Sequence, residues 1–124
     1  MDISSFLAAR LGRDAPWNCS TMPSDWCVAN GHPDFAAAWR GVVEPCACDA
    51  ATERGGGLLA LWERDIGEGL SIVDVPTRGD IAVVTAMGRE VGAIFTGERW
   101  AIEGQRTLHF LAPEQATVVK AWRV

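Results

Sequence analysis

Near Arg78 the hydrophobic period of the chain changes from helical to alternating, and that switch limits the fold more tightly than any other feature. Before it, Ile3, Phe6, Leu7 and Leu11 follow helical spacing, with Asp2 or Ser4 as a start and Gly12 as a stop. A second helix is predicted to begin near Cys19 and Ser20 and to close at Asn30-Gly31, with Pro23 tolerated inside its first turn. His32-Pro33-Asp34 predicts a third helix running to Gly41, and a weaker fourth is expected over 48–54. The Gly55-Gly56-Gly57 triplet breaks the chain, and Leu58, Leu61, Trp62 and Ile66 predict a fifth helix that Gly67 ends. After Arg78, Ile81–Thr85, Val91–Thr96, Arg99–Ile102, Thr107–Leu111 and Thr117–Trp122 each read as short strands, the first four separated at hairpin spacing. The reading is one α+β domain over 1–124: residues 1–77 mainly helical, 78–124 mainly antiparallel strands, with the N-terminal helices packed on the C-terminal sheet.

Composition removes several function classes. Sixteen acidic residues face eleven basic ones, the single lysine is Lys120, and the arginines are scattered, so the counterion-displacing cluster of a nucleic-acid binder is missing. No apolar run approaches the length of a bilayer span, and the first residues lack the basic and apolar regions of a signal peptide. The expectation is a protein made in a bacterial cytoplasm, with no membrane insertion and no nucleic-acid partner. Reducing synthesis argues for free thiols at Cys19, Cys27, Cys46 and Cys48. Their spacing suits zinc poorly, even with His32 added, so neither a metal nor a cofactor is expected. Six Trp and no Tyr make Trp the natural large core anchor, with sugar stacking by an exposed indole as the alternative.

Asn18-Cys19, Trp26, Arg78-Gly79-Asp80-Ile81 and Val91-Gly92-Ala93-Ile94-Phe95-Thr96-Gly97 occur in an order that resembles the NlpC-like cell-wall peptidases. Trp17-Asn18-Cys19, Ser24-Asp25-Trp26, Gly31-His32-Pro33-Asp34, Trp39-Arg40-Gly41 and Ala121-Trp122-Arg123-Val124 narrow the resemblance to a small phage-tail branch, found in tail-tip modules of siphophages and gene transfer agents. The resemblance implies a papain-like fold with Cys19 at the nucleophile position, where a helix start lowers a thiol's pKa.

Where that family has the histidine of His-Val-Gly, this chain has Glu90-Val91-Gly92. A carboxylate cannot relay the proton that thiol attack and amine departure require. The family's third polar position is expected at Ile102, which cannot orient a base. His109 on the fourth strand is the remaining candidate for an irregular base, His32 is expected to cap a helix start, and Asp80 to anchor a turn.

The resemblance therefore implies a catalytically degenerate structural component of a virion tail or phage-like particle, partnered by other tail proteins, with peptidoglycan as a second candidate partner. An active cysteine peptidase or amidase, cutting peptidoglycan peptides as DNA enters the cell, is the first alternative. A glycan-binding module is the second.

Overall fold

In the computed structural model, residues 2–11, 18, 20–40, 57–86, 88–104 and 107–124 are described. Among the described residues three α-helices, α1 (Ile3–Leu11), α2 (Met22–Ala29) and α3 (Leu58–Ile66), come before all six strands, and a 3-10 turn (Pro113–Gln115) precedes the last strand. The strands are β1 (Ser71–Val73), β2 (Ile81–Ala86), β3 (Arg89–Phe95), β4 (Trp100–Glu103), β5 (Leu108–Leu111) and β6 (Thr117–Arg123). They form one antiparallel sheet in the order β1-β6-β2-β3-β4-β5. The expected α+β architecture is present, and no described helix is long and apolar enough to cross a membrane.

Local chemistry accounts for most element boundaries. Ser5 N donates to Asp2 Oδ2, which satisfies one orphan donor at the start of α1. In α2, Pro23 lies in the first turn, and His32 N donates to Cys27 O at the other end. Ala86 pairs with Arg89 across a two-residue hairpin loop whose Gly88 adopts φ +79°, the left-handed conformation such a turn needs. Asp80 anchors the start of β2 as expected: its Oδ2 accepts from Thr77 N at 2.7 Å, and its own N donates to Thr77 O.

Two expectations are corrected. Residues 35–40 form successive turns, with no third helix. Trp39 N bonds Ala36 O, three residues back, while the Trp39 indole reaches Asp65 and Arg40 reaches back to Asp34 and Asp25. Tertiary pull on these side chains overrides the helical pattern. A strand also precedes Arg78: β1 is too short to show an alternating period, and it exists by pairing with β6, Ser71 opposite Arg123 and Val73 opposite Ala121. The stretch 48–54 lies outside the described residues.

The central strands β2, β3 and β4 are largely buried on both faces, while β1, β5 and the first half of β6 are mostly exposed. One face packs against the helices through Ile81, Val83, Ile94, Ala101, Leu108 and Trp122. The other gathers Ala82, Val84, Val91, Ala93, Trp100, Ile102 and Ala121, with no helix contributing among the described residues. A bulge between Val83 and Val84 shifts the register against β6. Trp26, Trp39, Trp62, Trp100 and Trp122 are all buried anchors, so none of these five offers an indole face to a sugar. Trp17 lies outside the described residues.

Candidate functional site

The site builds outward from Asn18, the neighbour of Cys19. Cys19 itself lies outside the described residues, but both flanking residues are buried. Asn18 Oδ1 accepts from Ser20 N at 2.7 Å and Asn18 O from Met22 N at 3.1 Å, so Asn18 supplies acceptors ahead of α2. On the sheet side, Asn18 N donates to Glu103 Oε1 at 2.7 Å.

Glu103, 1% exposed, is the buried end of an ionic chain that runs outward to half-buried Asp25, Arg40 and Asp34. Arg10, in the last turn of α1, grips it with a two-pronged fork: Nε to Oε2 and Nη2 to Oε1, each 2.7 Å. The third arm, Arg10 Nη1, donates to Asp25 Oδ2 at 2.6 Å. The other oxygen of Asp25 accepts from Arg40, whose Nε donates to Asp34 Oδ2 at 2.8 Å. Asp34 Oδ1 in turn accepts from Ser24 Oγ and Ala36 N. Three carboxylates and two guanidiniums thus alternate from β4 through α1 and α2 to the 35–40 turns. The hydrogen bonds from Arg40 are the leading cause that holds the Asp34 carboxyl below its ordinary 3.8. Its contribution to stability is present above that value and is lost only as pH falls through the lower, folded pKa.

The register decides what faces this chain. Glu90, Gly92 and Ile94 share the helix side of β3, and Ile94 pairs with Ala101, so Glu103 is the polar residue that β4 presents there. Ile102, expected at the third position, lies on the opposite face in the sheet-only cluster. Its cross-strand partner is His109. His109 is therefore on the sheet side turned away from the helices; it is exposed, and its Nε2 sits 2.6 Å from where a Cβ on Gly104 would be. Glu90 is exposed, and its Oε1 accepts from Leu59 N at 3.3 Å. This places its charge at the positive end of α3, a favourable position for a carboxylate. The carboxylate at the position of the family's histidine is thus bonded to the first turn of α3, while Cys19 lies outside the described residues.

Arg10, Asp25 and Glu103 were missed by sequence reasoning as members of a site. A glutamate ending a strand and an arginine ending a helix are ordinary surface signals, and only the 93-residue separation closed by the fold joins them.

Cys27 is a free, buried thiol. Cys46 and Cys48 lie outside the described residues, as Cys19 does, and no group of three His, Cys, Asp or Glu among the described residues is placed to hold a metal ion. Burial, reinforced by the charge of Asp34, pushes the Cys27 thiol up to about 12. An unfolded chain releases this proton near 9.0, whereas the folded one holds it, so this contribution is complete below 9.0 and is lost as pH rises toward about 12. Iodoacetamide at pH 8 will leave Cys27 unmodified in the folded protein and label it after denaturation, read by peptide mass spectrometry. Labelling of the native state at the unfolded rate would contradict this burial.

Helices on one face of an antiparallel sheet, with an ionic chain whose Arg10–Glu103 end is buried where the first helices meet it, define an α+β domain. A family model described as a domain of unknown function, DUF6950, matches residues 3–124. The chain belongs to that family. Searches of curated proteins and of solved structures returned no match.

Proposed function

We propose that this chain is a papain-like, NlpC-type domain in which the cysteine-peptidase centre has given way to a structural ionic chain, and that it serves as a tail-tip component of a phage or phage-like particle. The observation that carries the degenerate reading is the occupation of Glu103. Both of its oxygens are committed to Arg10, and one also holds Asn18 N, beside the nucleophile position. No imidazole takes part in that centre among the described residues. Glu90, at the family's histidine position, is bonded to α3, and His109 lies on the far side of the sheet. A thiol without a base attacks amides poorly, and no imidazole among the described residues is placed here to protonate the leaving amine. The assignment to a tail tip, with other tail proteins as partners, rests on the order of the sequence motifs.

Purified protein incubated with peptidoglycan peptides will release no products, and Cys19→Ala will leave particle assembly and infectivity unchanged. Glu90→His alone will not restore turnover, because Glu103 remains held by Arg10 and cannot orient the new ring. Turnover lost in both Cys19→Ala and His109→Ala would establish the active-peptidase reading instead. Mass spectrometry of purified particles tests location separately: absence of the chain from them removes the tail-tip role.

A further inference from the structure

At the opposite end of α2 from Asn18 there is a pocket of about 150 Å³, lined by Cys27, Asp34, Phe35, Asp65, Ile66 and Leu70 among others. A cavity of that order accepts a benzene-sized group. The C-terminal turns of two helices meet there: Cys27 lies in the last turn of α2, and Asp65 and Ile66 end α3. Helix C-termini carry partial negative charge, and the last turn of α2 contains no basic residue to offset it.

Asp34 and Asp65 add full charges at the rim, and their side chains keep 30% and 21% exposure, within reach of a ligand. Arg40 and Arg64 each neutralise one of them in part, while Glu68, exposed just past α3, adds another negative charge. His32, half-buried, completes the polar lining. Phe35, Ile66 and Leu70 supply an apolar wall. Burial chiefly, and then the charge of Asp34, raises the Cys27 thiol that lines the same pocket.

We propose that this pocket is a docking site for a lysine side chain presented by a neighbouring protein. Its four-carbon stem lies along Phe35, Ile66 and Leu70, and its ammonium meets Asp34, Asp65 and the two helix ends. A point-charge ammonium on a four-carbon stem suits an apolar wall with carboxylates at its rim, and a chain of net charge −5 favours a basic partner surface. The inference does not depend on the particle role, since it is read in solution on the isolated chain.

The test is a ¹H–¹⁵N NMR titration with n-butylammonium chloride, Nα-acetyl-lysine N-methylamide and n-butanol. Saturable shifts are expected at Cys27, His32, Phe35 and Gly69 with both amines. Butanol should bind about tenfold or more weakly, as expected when a charged hydrogen-bonding group is lost. Asp65→Asn keeps an acceptor for the Trp39 indole and leaves the remaining spectrum intact, yet should weaken the blocked lysine about fivefold, and added salt should weaken it further. The proposal is overturned if butanol matches the amines, if shifts are absent or map elsewhere, or if Asp65→Asn binds unchanged. Binding of butylammonium without the blocked lysine would assign the pocket to free amines and equally refute lysine docking.

Discussion

Arg10→Met alone will destabilise the domain by about 3–5 kcal/mol, because it leaves Glu103 as a buried carboxylate without its counter-charge. Glu103 is 1% exposed and Arg10 4%, so water cannot replace either partner. The same change also removes the cation that bridges Asp25. Glu103→Leu alone should cost a similar amount, since it strands the guanidinium and takes the acceptor from Asn18 N. The double variant Arg10→Met/Glu103→Leu will recover much of the loss. It should remain about 1–3 kcal/mol below wild type, the usual penalty for a buried donor left unmade at Asn18 N. Guanidinium denaturation of the four proteins gives the cycle. Single variants within about 1 kcal/mol of wild type would show that the pair behaves as an exposed surface bridge.

The second large effect is at Trp62. Its ring is fully buried, packs edge-on against Phe35 at 5.1 Å and lies tilted against Trp122 at 5.7 Å. It therefore joins the 35–40 turns, α3 and β6 in a single contact. Trp62→Ala should cost about 3–5 kcal/mol through the cavity it opens. Trp62→Phe should cost much less, about 1–2 kcal/mol, for a specific reason. The Trp62 indole N–H has no hydrogen-bond partner among the described residues, so phenylalanine removes a donor that bonds none of them. Thermal and chemical unfolding of the two variants decide the matter. Equal losses would mean that the indole nitrogen makes a bond worth keeping.

How legible the site was depended on how far apart its parts lie in sequence. The Asp80 turn, the Gly88 hairpin and the close of α2 at Asn30-Gly31 follow from residues within a few positions of one another, whereas α2, expected from Cys19 and Ser20, starts at Met22. The polar partner on β4 was not legible, since Ile102 and Glu103 differ only by which face of a strand they occupy. A shift of one residue in register reverses that assignment. Glu90 was legible as a departure from a histidine, but its bond to Leu59 N spans 31 residues and depends on where α3 docks.

What this sequence determines by itself is the order of helices before strands, the approximate span of five of the six strands, the start of α1, the close of α2 and both ends of α3. Those properties come from short-range periodicity and from backbone conformations that only glycine, proline and capping side chains favour. Tertiary structure alone decided that β1 would pair with β6, that residues 35–40 would remain turns, and that Arg10, Asp25, Arg40, Asp34 and Glu103 would join in one chain. Each of those outcomes balances groups far apart in sequence against burial. A guanidinium in the last turn of α1 carries no sign of the carboxylate 93 residues away that makes its burial possible.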